Sequence, residues 1–353
     1  MTISNFLPGI QWSIALLLCL LCVEQRSYAY DDLADEPETF KSWDAYLKAH
    51  RYDCPGPLDL LEPPREVTIG GKKYLHRGYK LEVVTPDADR KVVIGAFGAS
   101  KDVSSGTKAN MEEMAKWFKA EGVEWVVANG DLALSEFDLE QVYEVLASFQ
   151  MPTLVMLGNS DSQGSWARLY RERAEKYPYI IDGTNIRQIA ADDVEFWTMP
   201  GYHNRRFSHQ TGVCIYKKED VDVMRRKIRP HGDAPIMLVS HGPPQGEGPQ
   251  SIDVIPNGKN VGDSELTRLI KRRRLPLGLF SHILEAGGRA VGDDFKTPIK
   301  ENTWSKSMHI NVGSLSGDPW GMLDGTSSFG MAAIIEIGPD GARYKFKRFK
   351  SRF

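Results

Sequence analysis

From Lys91 onward the chain alternates short apolar runs with helix-periodic runs, and this alternation limits its fold more than any other feature. Val92 to Ala96 reads as a short apolar strand. Met111, Met114, Ala115 and Phe118 then recur at helical spacing up to Gly122, which suits the position just past a helix end. Strand Val123 to Ala128, helix Leu139 to Phe149, strand Thr153 to Leu157 and helix Trp166 to Tyr177 follow. Two β-like runs near Ile186 and Phe196 lead to a helix around Glu219 to Ile228. Strand Pro235 to Val239, helix Ser264 to Arg274 and strand Leu277 to Phe280 continue the pattern. The end is all strand-like: His309 to Val312, Met331 to Ile337 and Arg343 to Phe349. The alternation predicts an α/β fold with a largely parallel sheet and antiparallel strands added late.

The strand ends carry the chemistry. One strand runs into Asn129-Gly130-Asp131 and the next into Gly158-Asn159-Ser160-Asp161. Two later ones run into Ser240-His241-Gly242-Pro243-Pro244 and Ser281-His282. In open parallel sheets, ligands bind outside the carboxyl ends of the strands, where the loops converge. A carboxylate, an amide oxygen and two imidazoles suit a divalent transition ion (Mn, Fe or Zn) and suit Ca or Mg poorly. Each piece alone is weak, since Gly-Asp and Gly-Asn are common turns. Their order and strand context together predict a metal site on Asp131, Asn159, His241 and His282.

The first thirty residues differ from the rest. Ile14 to Val23 is an unbroken apolar run, too short to span a bilayer comfortably, followed by Glu24-Gln25-Arg26 and then Ser27-Tyr28-Ala29. No Lys or Arg precedes the run. This reads as a cleaved export signal over residues 1–29, giving a periplasmic or secreted protein with no stable membrane span after cleavage. Residues 30–88 read as an N-terminal extension ahead of one domain over 89–353. In that extension Phe40 to His50 has helical spacing, Pro55 to Pro64 is a Pro-rich connector, and Gly70-Gly71 marks a hairpin turn. The formal net charge of -3 is too small to imply nucleic acid or an anionic membrane as the main partner. Of the cysteines, Cys54 and Cys214 would survive cleavage; they could pair, but 160 residues separate them, and Cys214 reads equally as a small buried hydrophobe. The Lys271 to Arg274 run reads as cations solvated at a helix C-terminus, and the Lys-Phe alternation of the tail as a charged edge strand.

Gly130-Asp131, Gly158-Asn159, His241 with its Gly-Pro-Pro, and His282 fall in register with the motifs of the calcineurin-like metallophosphoesterases. Asn311-Val312-Gly313-Ser314 also resembles that family's segment after the last motif, and the likeness covers roughly residues 90 to 340. It implies a four-layer α/β/β/α sandwich. The family's signature begins with Asp-x-His, and here the first strand ends Ala96-Phe97-Gly98-Ala99. Gly-Asn-His has become Gly158-Asn159-Ser160, and Gly-His-x-His has become Ser281-His282-Ile283-Leu284. The resemblance thus removes every ligand exclusive to one metal of a pair and keeps every ligand of the other, which implies a mononuclear site.

Such a site would hydrolyse a phosphomonoester or phosphodiester of a phosphorylated small molecule, with Asp131 and His241 serving catalysis as ligands. Ser160 is a poor general acid near neutral pH. Lys101 could supply positive charge in place of a second ion, and Asp161 could orient a ligand or cap the helix that follows. His203 could act as an acid, and Arg205 and Arg206 could recognise phosphate. The competing reading is a non-catalytic descendant that keeps the fold and a structural or ligand-binding metal. A metal-free module leaves the convergence of the four residues unexplained.

Overall fold

Strands and helices alternate as the periodicity predicts. A computed structural model describes residues 54–60, 63–87, 89–210, 212–229 and 233–352. The expected signal and the Phe40 to His50 helix lie outside the described residues. The first half comprises β1 (Arg65–Ile69), β2 (Lys72–Arg77), β3 (Lys80–Val83), β4 (Val92–Phe97), α1 (Ser105–Ala120), β5 (Trp125–Asn129), α2 (Glu136–Ser148), β6 (Thr153–Met156), α3 (Gln163–Arg173), β7 (Ile180–Asp182), β8 (Gln188–Ala190) and β9 (Glu195–Met199). The second half adds α4 (Lys218–Lys227), β10 (Ile236–Ser240), α5 (Ser264–Arg273), β11 (Leu277–Phe280), β12 (Arg289–Val291), β13 (Met308–Asn311), β14 (Trp320–Gly321), β15 (Ser327–Ser328), β16 (Met331–Gly338) and β17 (Gly341–Arg348).

Two large sheets result, with strand orders β17-β16-β4-β5-β6-β7 and β1-β2-β3-β8-β9-β10-β11-β13-β12. The period of two along each strand decides what lies between them. Ile94 and Ala96, Trp125 and Val127, and Leu154 and Met156 face Phe196, Met237, Val239 and Leu279 in one buried cluster. The alternate residues Val126, Ala128 and Val155 pack instead against Met111, Met114 and Phe118 of α1, Leu139 and Tyr143 of α2, and Trp166 of α3. On the far side, Ile236 and Leu238 pack against Met224 of α4 and Leu266, Leu269 and Ile270 of α5. The layers therefore run α/β/β/α.

Strands β4 to β7 are mutually parallel, as are β9, β10, β11 and β13. β16 and β17 add antiparallel, and β17 forms an edge whose Lys345 and Lys347 pair with Glu121 and Glu113. Residues 65–83, placed in the extension by sequence, complete one edge of the larger sheet through the parallel β3–β8 pair. Cys54 and Cys214 form a disulfide with a Cα separation of 5.2 Å. Among the described residues no helix is long and apolar enough to cross a membrane.

His309 on β13 shows what alternation costs when a polar residue falls on an apolar face. Its ring lies between Phe280 and Phe295, and among the described residues neither nitrogen has a hydrogen-bond partner. Burial pushes its pKa down to about 3. The folded state thus disfavours the imidazolium, so stability is complete above the ordinary pKa of about 6.5 and is lost as pH falls from there towards 3. This group should remove about 2 kcal/mol of stability at pH 5. Denaturant unfolding of His309→Leu at pH 7 and pH 5 should show a smaller acid loss than the parent chain; an equal loss in both would refute this.

Candidate metal centre

The four predicted residues come together at one edge of the two sheets. Asp131 follows β5, Asn159 follows β6, His241 follows β10 and His282 follows β11. His241 Nε2 lies 3.0 Å from Asn159 Oδ1, 3.3 Å from Asp131 Oδ1 and 3.3 Å from His282 Nδ1. Donor atoms sharing an ion at about 2.1 Å stand roughly 3.0–3.4 Å apart, so these separations suit a common centre. Asp131, His241 and His282 each offer one ligand atom, all within 4.8 Å of one another.

Hydrogen bonding fixes what each atom presents. His241 Nδ1 faces the carbonyl of Asn129 at 2.9 Å, so that nitrogen carries a hydrogen and Nε2 turns its lone pair inward. Asn159 Nδ2 donates to the carbonyl of Phe207 at 2.5 Å, which leaves Oδ1 aimed at His241. Two oxygens and a second imidazole nitrogen therefore surround the Nε2 of His241. A proton on Nε2 relieves only part of that lone-pair crowding, whereas one divalent cation satisfies all four donors. The donor set fits a transition ion.

The electrostatics agree. Burial alone would raise the Asp131 pKa, but His241 beside it holds the carboxyl well below the usual carboxylate range. Burial would likewise lower His241, and Asp131 outweighs it and raises the imidazole. Burial, followed by the neighbouring His241, pushes His282 down to about 3, so its ring is neutral and its lone pair free.

The scaffold behind these residues is as specific as the ligands. Gly130 has φ +78°, and a Cβ there would collide with His241 Nδ1; one at Gly158 would collide with Asp131 Oδ1. That is why glycine precedes both polar residues. Asp131 (φ +54°) and His282 (φ +62°) themselves occupy the left-handed region, a conformation that surrounding bonds must enforce. Asp161 enforces it at Asp131. Its Oδ2 accepts from the N–H of Asp131 (2.8 Å) and Gly158 (2.7 Å), and its Oδ1 from Leu132 (2.7 Å) and Ala133 (3.1 Å). The helix cap that sequence also allowed for Asp161 falls to Ser162, whose side chain accepts from Ser165 N. Asn129 Nδ2 ties β5 to β10 through the Ser240 carbonyl at 3.0 Å. Asn311 Nδ2 donates to the Ile283 carbonyl at 2.9 Å and so steadies the His282 turn.

Other predicted residues take different positions. The backbone N–H of Ser160 donates to Asp131 Oδ1 at 3.0 Å, and its carbonyl accepts from Gln210 Nε2. Lys101 Nζ stacks 4.6 Å over the Trp320 ring, while the Lys101 N–H donates to the Asp131 carbonyl at 3.0 Å. His203 packs on Tyr202, ring centres 4.4 Å apart, and burial lowers its pKa, leaving it neutral near pH 7. Arg205 and Arg206 are exposed on a short 3-10 turn, Arg205–Phe207, whose final carbonyl holds Asn159. Sequence reasoning missed Asn129, Tyr202 and Phe207. Asn129 was readable as the polar residue ending β5, whereas Tyr202, whose ring lies 3.8 Å from that of His282, carries no sequence signal for that contact.

No family model matches the chain, and no curated protein does. One crystal structure is similar at TM-score 0.52 with 11% identity, over 74% of this chain and 100% of the other. TT1561 of Thermus thermophilus is similar at TM-score 0.49 with 14% identity, over 74% of this chain and 99% of that one. A dimetal phosphatase from Danio rerio is similar at TM-score 0.46 with 11% identity, over 73% and 99%. With its α/β/β/α layers and its Gly-Asp, Gly-Asn and two His turns at the ends of β5, β6, β10 and β11, the chain has the four-layer α/β/β/α fold that its strand-end motifs imply.

Proposed function

We propose that Asp131, Asn159, His241 and His282 hold one divalent transition ion (Mn, Fe or Zn), and that the protein hydrolyses a phosphomonoester or phosphodiester there. The observation that carries this reading is the convergence of three further donor atoms on His241 Nε2 at 3.0–3.3 Å. Bound in that set, such an ion supplies Lewis acidity towards a phosphoryl oxygen and lowers the pKa of water. The chain's own groups do the rest. Asp131 balances the positive charge, the Asn129 carbonyl keeps His241 in the right tautomer, and Asp161 holds Asp131 in its strained turn. Arg205 and Arg206, exposed beside the site, draw in an anionic phosphate.

Packing at the end of β4 supports one ion rather than two. Any side chain at Gly98 would collide with the Ser281 hydroxyl, which itself donates to the Gly313 carbonyl at 2.8 Å. Ser281 therefore leaves no room for a side chain at Gly98, just past the end of β4. Export is part of the proposal: the apolar leader and the Cys54–Cys214 disulfide both suit an oxidising compartment.

Burial of the ligands favours a second reading, a non-catalytic protein with a structural metal. Asp131, Asn159 and His241 are nearly inaccessible, and the Phe207 turn is bonded to Asn159. Assays with p-nitrophenyl phosphate and bis-p-nitrophenyl phosphate, with and without added Mn, separate the two. Metal-dependent turnover is expected and should vanish in Asp131→Ala; a metal-loaded protein with no turnover would establish the structural role.

A further inference from the structure

Two helix ends on the outer face of the larger sheet concentrate positive charge. α4 closes with Arg225 to Lys227, with Arg229 two residues on, and α5 closes with Lys271 to Arg273, with Arg274 as its cap. The helices lead into neighbouring parallel strands, α4 into β10 and α5 into β11, so both point the same way. They pack together through Met224, Leu266, Leu269 and Ile270. Arg273 Nε crosses between them and donates to the Arg225 carbonyl at 2.6 Å, which sets the two ends within one side-chain length. Burial, then the nearby Arg229 and Arg225, lowers the Arg273 pKa, as expected where cations crowd.

The basic run on α5 has an ordinary explanation in the helix dipole, but the two runs together exceed it. Each helix C-terminus carries about half a negative charge, so the pair offsets only about one of these cations. Asp222 pairs with Arg225 at 2.7 Å, and Glu247 and Asp294 line a cleft with Lys271 and Arg272. Arg226, Lys227, Arg229 and Arg274 are exposed. Such crowding of like charge costs free energy, which an anionic partner relieves.

The patch lies at the opposite end of the strands from the metal centre. Arg274 stands three residues before β11 begins, and His282 two residues after it ends. A partner held by these cations therefore leaves the edge that carries Asp131 and His282 uncovered. The whole chain carries -3, so its surface outside this patch is markedly acidic. A plane of negative charge touches one face alone, whereas a long polymer would run on into that acidic surface. One compact anion needs donors converging in a pocket, and these are spread over two helix ends.

We propose that the ends of α4 and α5 dock the protein on an anionic phospholipid surface, with the Asp131 and His282 edge turned to solvent. Among the described residues no large apolar side chain is exposed on either helix, so the attachment is electrostatic and reversed by salt.

The test is sedimentation of the purified chain with vesicles of phosphatidylcholine alone or with about 30% phosphatidylglycerol, in about 0.05 and 0.5 M salt. Binding to the anionic vesicles only is expected, and it should fall at least about tenfold at the higher salt. Each basic residue near such a surface contributes about fivefold, so Arg226→Ser/Lys227→Ser/Arg272→Ser should weaken binding about a hundredfold. Lys116→Ser/Lys119→Ser/Arg171→Ser removes the same charge from α1 and α3 and should keep binding within about threefold of the parent. All six positions are exposed, so both variants should fold, which circular dichroism checks. No binding to anionic vesicles, equal binding to neutral ones, or equal losses in the two triple variants would overturn the proposal. So would tighter binding to duplex DNA than to the vesicles at equal charge concentration, which would make the partner a nucleic acid.

Discussion

His241→Ala should leave the chain without bound metal, a loss in affinity greater than the roughly 10–100-fold that follows from altering an outer partner of a metal ligand. The expectation comes from geometry. His241 Nε2 lies within 3.3 Å of Asn159 Oδ1, Asp131 Oδ1 and His282 Nδ1 alike, so its removal opens the centre of the set. The same change should destabilise the fold. Asp131 is buried, and without the imidazole its carboxylate loses its nearest opposite charge, a change of about 3–5 kcal/mol for a buried pair broken on one side. Elemental analysis and urea unfolding report the two effects independently. Metal retained at the parent level in His241→Ala would place the ion elsewhere.

Asp161→Ala should be the most damaging change outside the ligands. Its carboxylate accepts backbone N–H groups of Asp131, Leu132, Ala133 and Gly158, and it is fully buried. Alanine leaves all of them without an acceptor, at about 1–3 kcal/mol each, so a loss of about 4 kcal/mol or more is expected. The turn that forces Asp131 to φ +54° would relax with it, and metal affinity should fall although no ligand has changed. Asp161→Asn keeps one acceptor oxygen and should fall between. Unfolding free energy within about 1 kcal/mol of the parent in Asp161→Ala would show that solvent or neighbours replace the carboxylate.

Much of this was legible in the residues, for reasons that differ between elements. Strands such as Thr153–Met156 and Leu277–Phe280 are buried on both faces, so their unbroken apolar runs stand out. The four polar strand ends were legible because parallel strands deliver their carboxyl ends to one edge. Short strands were not: β7, β12, β14 and β15 have three residues or fewer, too short for any period. Nor could sequence place β1 to β3 in the larger sheet, since the β3–β8 pair joins residues more than a hundred positions apart. The Cys54–Cys214 disulfide escaped for the same reason. The Phe207 turn over Asn159 is a tertiary contact through a backbone carbonyl, which any residue type provides.

The claim that holds the account together is that this is one half of a two-metal centre, complete in itself. In the proposed reading Asp131, Asn159, His241 and His282 are the retained half, and a side chain at Gly98 would meet the Ser281 hydroxyl. Elemental analysis of the purified chain after saturation with Mn or Zn and removal of excess ion measures this directly. About one equivalent per chain is predicted for a single closed donor set; two equivalents, or none, would contradict it.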